Sequence, residues 1–239
     1  MTAVASPNPW QKALGQRLAQ ALQDARLVHA PLADMDGDAD REGGLPATRW
    51  RLPVRPRPQR AAEAALCELL GLGQPGTQGE LLKRCLQHYR TQLAPGGAED
   101  DLGAALAAYL GACRQAFDHE PLSVERWQAV TRWLQAWVLD EVPWADAPLA
   151  ERQDAFERFA ALAVALGEWT VQASRQGPAQ QASATWMARN SLRAQLGLDL
   201  DALCAVLGRQ DLGAAAANPS AGASELGAAA YRQGAPDPV

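Results

Sequence analysis

The stretch APLAERQDAFERFAALAVALGEWTVQASRQ, residues 147–176, decides the fold of this chain. Its apolar residues recur every three or four positions, which is the spacing of one face of an α-helix. Asp146 suits a helix cap, Pro148 suits the first turn, and Gly177-Pro178 suits the end of the helix. The stretch therefore predicts one long helix whose buried stripe contains Leu149, Phe156, Phe159, Ala160, Ala163, Leu166, Gly167 and Thr170.

The sequence on both sides of this helix has the same helical period. Further helices are predicted at about 59–70, 78–93, 99–117, 124–140, 178–196 and 200–207. No stretch alternates apolar and polar residues as a strand does. We therefore expect an all-α fold, a helical bundle of about six to seven helices. The helical domain is predicted at 59–210, with a disordered tail at 211–239 that is rich in alanine, glycine and proline.

Residues 1–30 are predicted to form a separate N-terminal amphipathic helix that starts at Pro9. Its apolar stripe recurs every four residues and needs a partner, which can be the main body, a second copy of the chain or another protein. We interpret this stripe as a candidate surface for protein binding or self-association. The residues that form it are Trp10, Leu14, Leu18 and Leu22.

Residues 31–58 are predicted to form a disordered linker, acidic at first and then rich in arginine and proline. The prolines forbid a regular helix there. Arg55 and Arg57 are candidate docking residues in its basic half. The acidic half departs from a calcium-binding loop because Ala39 and Leu45 stand where such a loop needs glycine and glutamate, so a solvated linker is favoured over a calcium site.

A formal G-x-G-x-x-G pattern occurs at residues 71–76. In nucleotide-binding proteins this pattern follows a strand, and its backbone N–H groups approach the phosphates. Here a predicted helix precedes it, and Pro75 removes one of the N–H groups. The pattern therefore indicates a loop that ends a helix, not a nucleotide site.

The titratable residues do not follow any catalytic or metal-binding spacing. His29, His88 and His119 lie in separate elements, and the cysteines form no C-x-x-C pair and are expected to be buried, reduced thiols. Asp154 and Glu157 lie one turn apart, as Gln153 and Glu157 do, on the long helix that also carries Glu168. An acid–base or metal site is one interpretation of this group. Surface ion pairs with Arg152, Arg158 and neighbouring arginines are favoured, and no catalytic residue, metal ligand or cofactor is predicted.

Tryptophan is the most distinctive residue of the predicted bundle. The helix at 124–140 carries Trp127, Trp133 and Trp137, which favours a helix–helix seam, with an aromatic binding surface as the alternative. If the domain instead binds a small ligand, its pocket is expected to be lined by tryptophans. The candidate pocket residues are Trp127, Trp137, Trp169 and Trp186.

The bulk charge and hydropathy restrict the function classes. The formal net charge of −5 at pH 7 argues against a general nucleic-acid binder, which usually has a basic excess. No apolar stretch reaches the ~18 residues of a transmembrane helix. The N-terminus has no basic region followed by an apolar core, so cytoplasmic localisation is predicted, or periplasmic if the start codon is misassigned.

Several helical patterns resemble a known family. Residues 99–102 open an alanine-rich helix that continues through 107–110, and the helix of 127–138, the segment 151–157 and the segment 196–200 follow. These pieces, with Thr48-Arg49-Trp50 as lead-in, resemble DUF6683, a bacterial family of uncharacterised proteins. The resemblance covers residues 48–208 and implies a helical domain with no assigned activity. Many members begin with an export leader, which this chain lacks.

The patterns together favour a non-enzymatic protein–protein interaction module, such as an adaptor, chaperone or assembly factor. Abundant apolar helix surface, the N-terminal amphipathic helix and the arginine- and proline-rich linker support this hypothesis. One alternative is an enzyme or small-ligand binder with a tryptophan-lined pocket. Another alternative is a nucleic-acid-associated regulator that binds through the arginines of residues 49–60. The negative net charge of the chain makes nucleic acid an unlikely partner.

Overall fold

The computed structural model describes residues 9–23, 60–72, 79–94, 100–140, 147–205 and 207. This part of the chain consists of helices and their connections, without a strand. The predicted all-α fold is therefore confirmed. The helices, numbered in chain order, are α1 (Pro9–Gln23), α2 (Arg60–Leu70), α3 (Gly79–His88), α4 (Leu102–Asp118), α5 (Val124–Asp140), α6 (Leu149–Gln176), α7 (Pro178–Leu196) and α8 (200–205).

The core is built around the pair α4 and α6, which makes the most extensive helix–helix contact of the described chain. Residues 102–110 of α4 are all buried, and most of them are alanine or leucine. Small side chains allow neighbouring helices to approach closely. A Cβ on Gly103 would lie 2.5 Å from the Cα of Gln135, so the closest approach of α4 to α5 occurs there.

Aromatic residues fill the space around α6. Phe156 packs edge-on against Tyr89 with 5.8 Å between the ring centroids, and Phe159 lies 5.4 Å from Tyr109 of α4. The helices α2, α3 and α7 all pack on α6, and α7 also packs on α4. The long predicted helix is thus the centre of the bundle, with 28 residues from Leu149 to Gln176.

Most predicted helix ends agree with the structure within one to three residues. Asp199 precedes the helix predicted at 200–207 and suits its cap. The backbone N–H of Ala202 donates to the Asp199 carboxylate over 3.0 Å, which confirms this cap of α8. The predicted helix at 78–93 is instead α3 followed by a π-helical turn at Tyr89–Leu93. The start predicted at about 99 lies three residues before Leu102, and Asp101 caps α4 by accepting from the Ala104 N–H over 2.7 Å.

The N-terminal helix α1 packs on α7 of the same chain. Leu14, Leu18 and Ala21 are buried in the core. Gly15 lies at the contact, where a Cβ would overlap the backbone carbonyl oxygen of Leu196. In the structure, the main body is therefore the partner of the predicted apolar stripe.

One prediction about burial was wrong, and several others concern residues that the structure does not describe. The helical spacing of residues 124–140 predicts a buried face that includes Val124, and this is wrong for Val124 because 60% of its surface is exposed at the first position of α5. The predicted linker at 31–58, the tail at 211–239 and the cap Asp146 lie outside the described residues.

Candidate functional site

A groove of about 180 Å³ lies on the surface between α2 and α7. Both helices pack on α6, which holds them side by side. From α2, the residues Ala65, Glu68 and Leu69 line the groove. The residues that α7 contributes are Trp186, Met187, Asn190, Ser191, Ala194 and Gln195.

Helical periodicity explains why these residues share one surface. On α2, Glu68 and Leu69 follow Ala65 by three and four positions. On α7, the lining consists of three pairs of adjacent residues, and each pair follows the previous one by four positions. Such spacings place side chains on one face of a helix. The groove thus forms between one face of α2 and one face of α7, and the helical spacing within each segment explains which residues lie on that face.

Trp186 is the most exposed large apolar residue of the groove, with 65% of its surface accessible. Its chain neighbour Met187 is buried. Single exposed apolar residues are common on protein surfaces, but Trp186 is the only one of the exposed large apolar residues of the described chain that also lines the groove. Trp186 is therefore the residue that distinguishes this groove from the rest of the described surface.

Hydrogen bonds into the core hold the α7 wall in place. The hydroxyl groups of Ser191 and Tyr109 are 2.8 Å apart and buried, and they join α7 to α4. The Thr185 hydroxyl donates to the Ala116 carbonyl oxygen over 2.6 Å. These bonds tie α7 to α4 at Thr185 and at Ser191, a residue of the groove lining, and so hold the α7 wall against the core.

The far end of the groove is anchored by a buried charged pair. The Arg158 guanidinium donates to Asp154 Oδ2 over 2.6 Å and to Gln195 Oε1 over 3.2 Å. All three residues are buried. Removing one member of a buried charged pair leaves the other charge uncompensated, so this contact fixes the position of Gln195 at the groove.

The polar residues singled out on the long helix do not form a surface cluster. Gln153, Asp154, Glu157 and Arg158 are all buried, and Gln153 donates to Glu157 over 2.6 Å. The favoured interpretation as surface ion pairs was therefore wrong, although the predicted pairing of Asp154 with Arg158 exists. Sequence periodicity places these residues on one helix side but does not tell which neighbouring helices cover that side.

The arginines of α7 contact aspartates, whereas Glu68 of α2 has no such contact among the described residues. On α7, Arg189 forms an ion pair with Asp201 over 2.9 Å, and Arg193 lies 3.8 Å from Asp199. Glu68 is the charged residue of the groove lining, and its carboxylate has no ion-pair or hydrogen-bond partner among the residues that the structure describes. Among the described residues, Glu68 is therefore the one charged residue of the groove lining, and its charge is negative.

The candidate pocket tryptophans are distributed over several surfaces. Trp186 lines the groove, whereas Trp137 is buried and stacks on Trp133 at 5.9 Å. The Trp127 ring covers Gly111 of α4, and Trp169 is partly buried against the core. Of these four residues, Trp186 is the one in the lining of the groove between α2 and α7.

The candidate partner-binding residues of the N-terminal region are only partly described. Leu14 and Leu18 are buried where α1 meets α7. The side chains of Trp10 and Leu22, and the linker residues Arg55 and Arg57, lie outside the described part of the chain.

The four cysteines are free and buried, as expected from the sequence. Burial raises the pKa of Cys85 to about 11 and of Cys204 to about 12. Burial also raises the pKa of Cys67 and, most strongly, that of Cys113. Thiols with raised pKa values stay protonated at neutral pH and are poor nucleophiles, so the cysteines behave as core residues.

The histidines and carboxylates form one contact of note. His88 Nδ1 lies 3.3 Å from Glu168 Oε1 on the outside of the bundle. His119 adopts a left-handed conformation after α4, with φ of 61°. Within the described ranges, no three His, Cys, Asp or Glu side chains come close enough together to hold a metal ion. No described helix is long and apolar enough to span a membrane.

The groove itself was not predicted from the sequence. Trp186 was selected as a pocket residue, but the facing residues Ala65, Glu68 and Leu69 were not. The local signal on α7 is a tryptophan beside asparagine and serine on an otherwise ordinary helix. Pairing that surface with α2 requires the tertiary structure, because more than a hundred residues separate the two helices.

Comparison with known proteins gives one match. Neither the curated proteins nor the solved structures include a significantly similar chain. The sequence model of a family of unknown function, DUF6683, matches residues 36–210, which is most of the chain and includes α2 to α8. The resemblance inferred from the helical patterns of residues 48–208 is thereby confirmed, and the protein belongs to the DUF6683 family.

Proposed function

We propose that this protein is a non-enzymatic helical interaction module that binds another protein through the groove between α2 and α7. The observation that carries the proposal is the 65% exposure of Trp186 beside a concave surface. Tryptophan is among the residues that most often dominate protein–protein binding energy, and such residues sit in or beside pockets.

The energy available from this one residue is substantial. An aromatic side chain buries about 150–250 Å² on complete burial, and apolar area contributes about 25 cal/mol per Å². Covering the exposed two thirds of Trp186 therefore contributes at most roughly 3 kcal/mol before the costs of association are subtracted. The rigid α7 wall reduces the ordering cost of binding.

The other described groups support a binding role over a chemical one. The cysteine thiols have raised pKa values, and the Asp154 and Glu157 carboxylates are engaged in buried hydrogen bonds. A groove of about 180 Å³ is also smaller than the ~300–1,000 Å³ of ordinary ligand pockets. A small-ligand function is therefore the second candidate, and a response of tryptophan fluorescence to a metabolite panel would favour it.

The stripe of α1 is a second proposed partner surface. Leu14 and Leu18 contact α7 in the structure, so a partner that uses this stripe must first displace α1. Arg55 and Arg57 stay candidate docking residues of the neighbouring segment. A cytoplasmic location and an adaptor, chaperone or assembly role complete the proposal.

The test is a comparison of tagged full-length proteins in the native host. Wild type, Trp186→Ala and Val124→Ala are purified, and the proteins that co-purify are quantified. Val124 is the matched control because it is equally exposed, at 60%, but lies on α5. We expect a stoichiometric partner with wild type and Val124→Ala, and loss of that partner with Trp186→Ala. Equal recovery with all three, or no partner with wild type, would contradict the proposal.

A further inference from the structure

We infer that the groove between α2 and α7 recognises a cationic side chain, arginine or lysine, of the partner protein. The inference rests on the proposed function and names the chemistry of the group that enters the groove. The charge, the aromatic surface and the shape of the groove each support the binding of a cation.

The charge of the groove is negative. Glu68 is the charged side chain of the lining, and no described residue pairs with its carboxylate. The two basic residues of α7 contact other carboxylates, Arg189 that of Asp201 and Arg193 that of Asp199, and neither lines the groove. A cation that enters the groove gains an ion pair with Glu68, whereas an anion is repelled.

The aromatic surface favours the same class of group. A guanidinium or ammonium group is attracted to the face of an indole ring, and tryptophan is the strongest of the aromatic residues in this respect. Trp186 offers an exposed ring in the same groove as Glu68. The combination of an aromatic face and a carboxylate matches a cation better than either feature does alone.

The shape and lining suit a long side chain with a charged end. Arginine and lysine carry apolar stems that pack on apolar surface while their charged ends reach polar groups. Leu69, Met187 and Ala194 supply the apolar surface, and Asn190 adds an amide oxygen that can accept a hydrogen bond. A purely apolar side chain would cover Glu68 without pairing it, which is unfavourable.

The test uses the full-length protein and two small probes, N-acetyl-arginine amide and its neutral analogue N-acetyl-citrulline amide. The indole N–H resonance of Trp186 is identified by its loss in Trp186→Phe and is followed during each titration. We expect it to shift with the arginine probe at millimolar concentrations and much less with the citrulline probe. Glu68→Gln is expected to weaken the arginine response about fivefold. The matched control Glu125→Gln, an exposed carboxylate on α5, is expected to leave it unchanged.

Two results would overturn the inference: equal shifts with both probes, or an unchanged arginine response in Glu68→Gln. These results are separable from failure of the proposed function. If Trp186→Ala loses the partner while the probes are equivalent, the groove binds a neutral group of a partner. If the probes differ but Trp186→Ala retains every partner, the groove binds cations and the protein-docking proposal fails.

Discussion

The middle and the C-terminal end of the groove-lining helix α7 differ in how their apolar surface is covered. At its C-terminal end, Leu196 is buried beneath α1, and Gly15 lets the two backbones meet. Nearly three turns earlier, the same helix presents Trp186 to solvent. An amphipathic pattern is therefore not enough to identify a docking surface, because the chain itself covers one such surface and leaves the other open.

The structure and the sequence point to different helices as the exposed apolar surface. The stripe of α1 reads as a partner-binding surface because it is separated from the bundle by a long linker. In the structure that stripe is satisfied within the chain, and the open apolar surface is on α7. The largest expected effects of mutation therefore lie at the α1 contact, and the smallest effects on stability lie at the groove.

The strongest disruption of the covered end is Leu14→Asp combined with Leu18→Asp. Two carboxylates cannot be buried without partners, so we expect α1 to detach while α2 to α8 stay folded. Hydrogen exchange should show loss of protection confined to residues 9–23. The control is Ala13→Asp with Gln16→Asp on the exposed face of α1, which should retain protection. Global unfolding of the first variant would show that α1 is an integral part of the core.

A smaller change at the same end is Gly15→Ala. The added methyl group would overlap the Leu196 carbonyl oxygen, so α1 must shift, at an expected cost of about 1–3 kcal/mol in unfolding free energy. Urea denaturation measures this cost. Gly79→Ala is the control, because nothing lies within 4 Å of its added Cβ. Equal stability of the two variants would mean that α1 is not seated on α7 in solution.

The smallest expected effect on stability is that of Trp186→Ala. Since most of this side chain is exposed, its removal should change the unfolding free energy by no more than about 0.5 kcal/mol. The same denaturation experiment measures it. A loss of several kcal/mol, comparable to that of a core residue, would show that the indole packs in solution and is not available to a partner.

Local sequence signals predicted most of the fold. Gly177-Pro178 and Gly197 mark the ends of α6 and α7, and Asp199 caps the last helix. These features depend on neighbours in sequence. The buried pair of Asp154 and Arg158 could not be predicted in the same way, since its burial depends on which helices meet over it.

The candidate site was less predictable than the fold for the same reason. Trp186 was selected from the sequence because tryptophan is large and amphipathic, but its exposure follows from the absence of a covering helix over that part of α7 in the described structure. Glu68 gave no signal, because a glutamate on a helix surface is ordinary. Its importance comes from facing Trp186 across a gap that only the packing of α2 and α7 on α6 creates.

The adjacency of Gln195 and Leu196 has a thermodynamic consequence. Gln195 lines the groove, and Leu196 receives α1, so the two contacts use consecutive residues of one helix. Any coupling between them must be reciprocal: a ligand that binds more tightly when α1 is docked also holds α1 in place by the same factor. If the two contacts are coupled, the protease resistance of residues 9–23 will change with groove occupancy, and this readout requires no label on the partner.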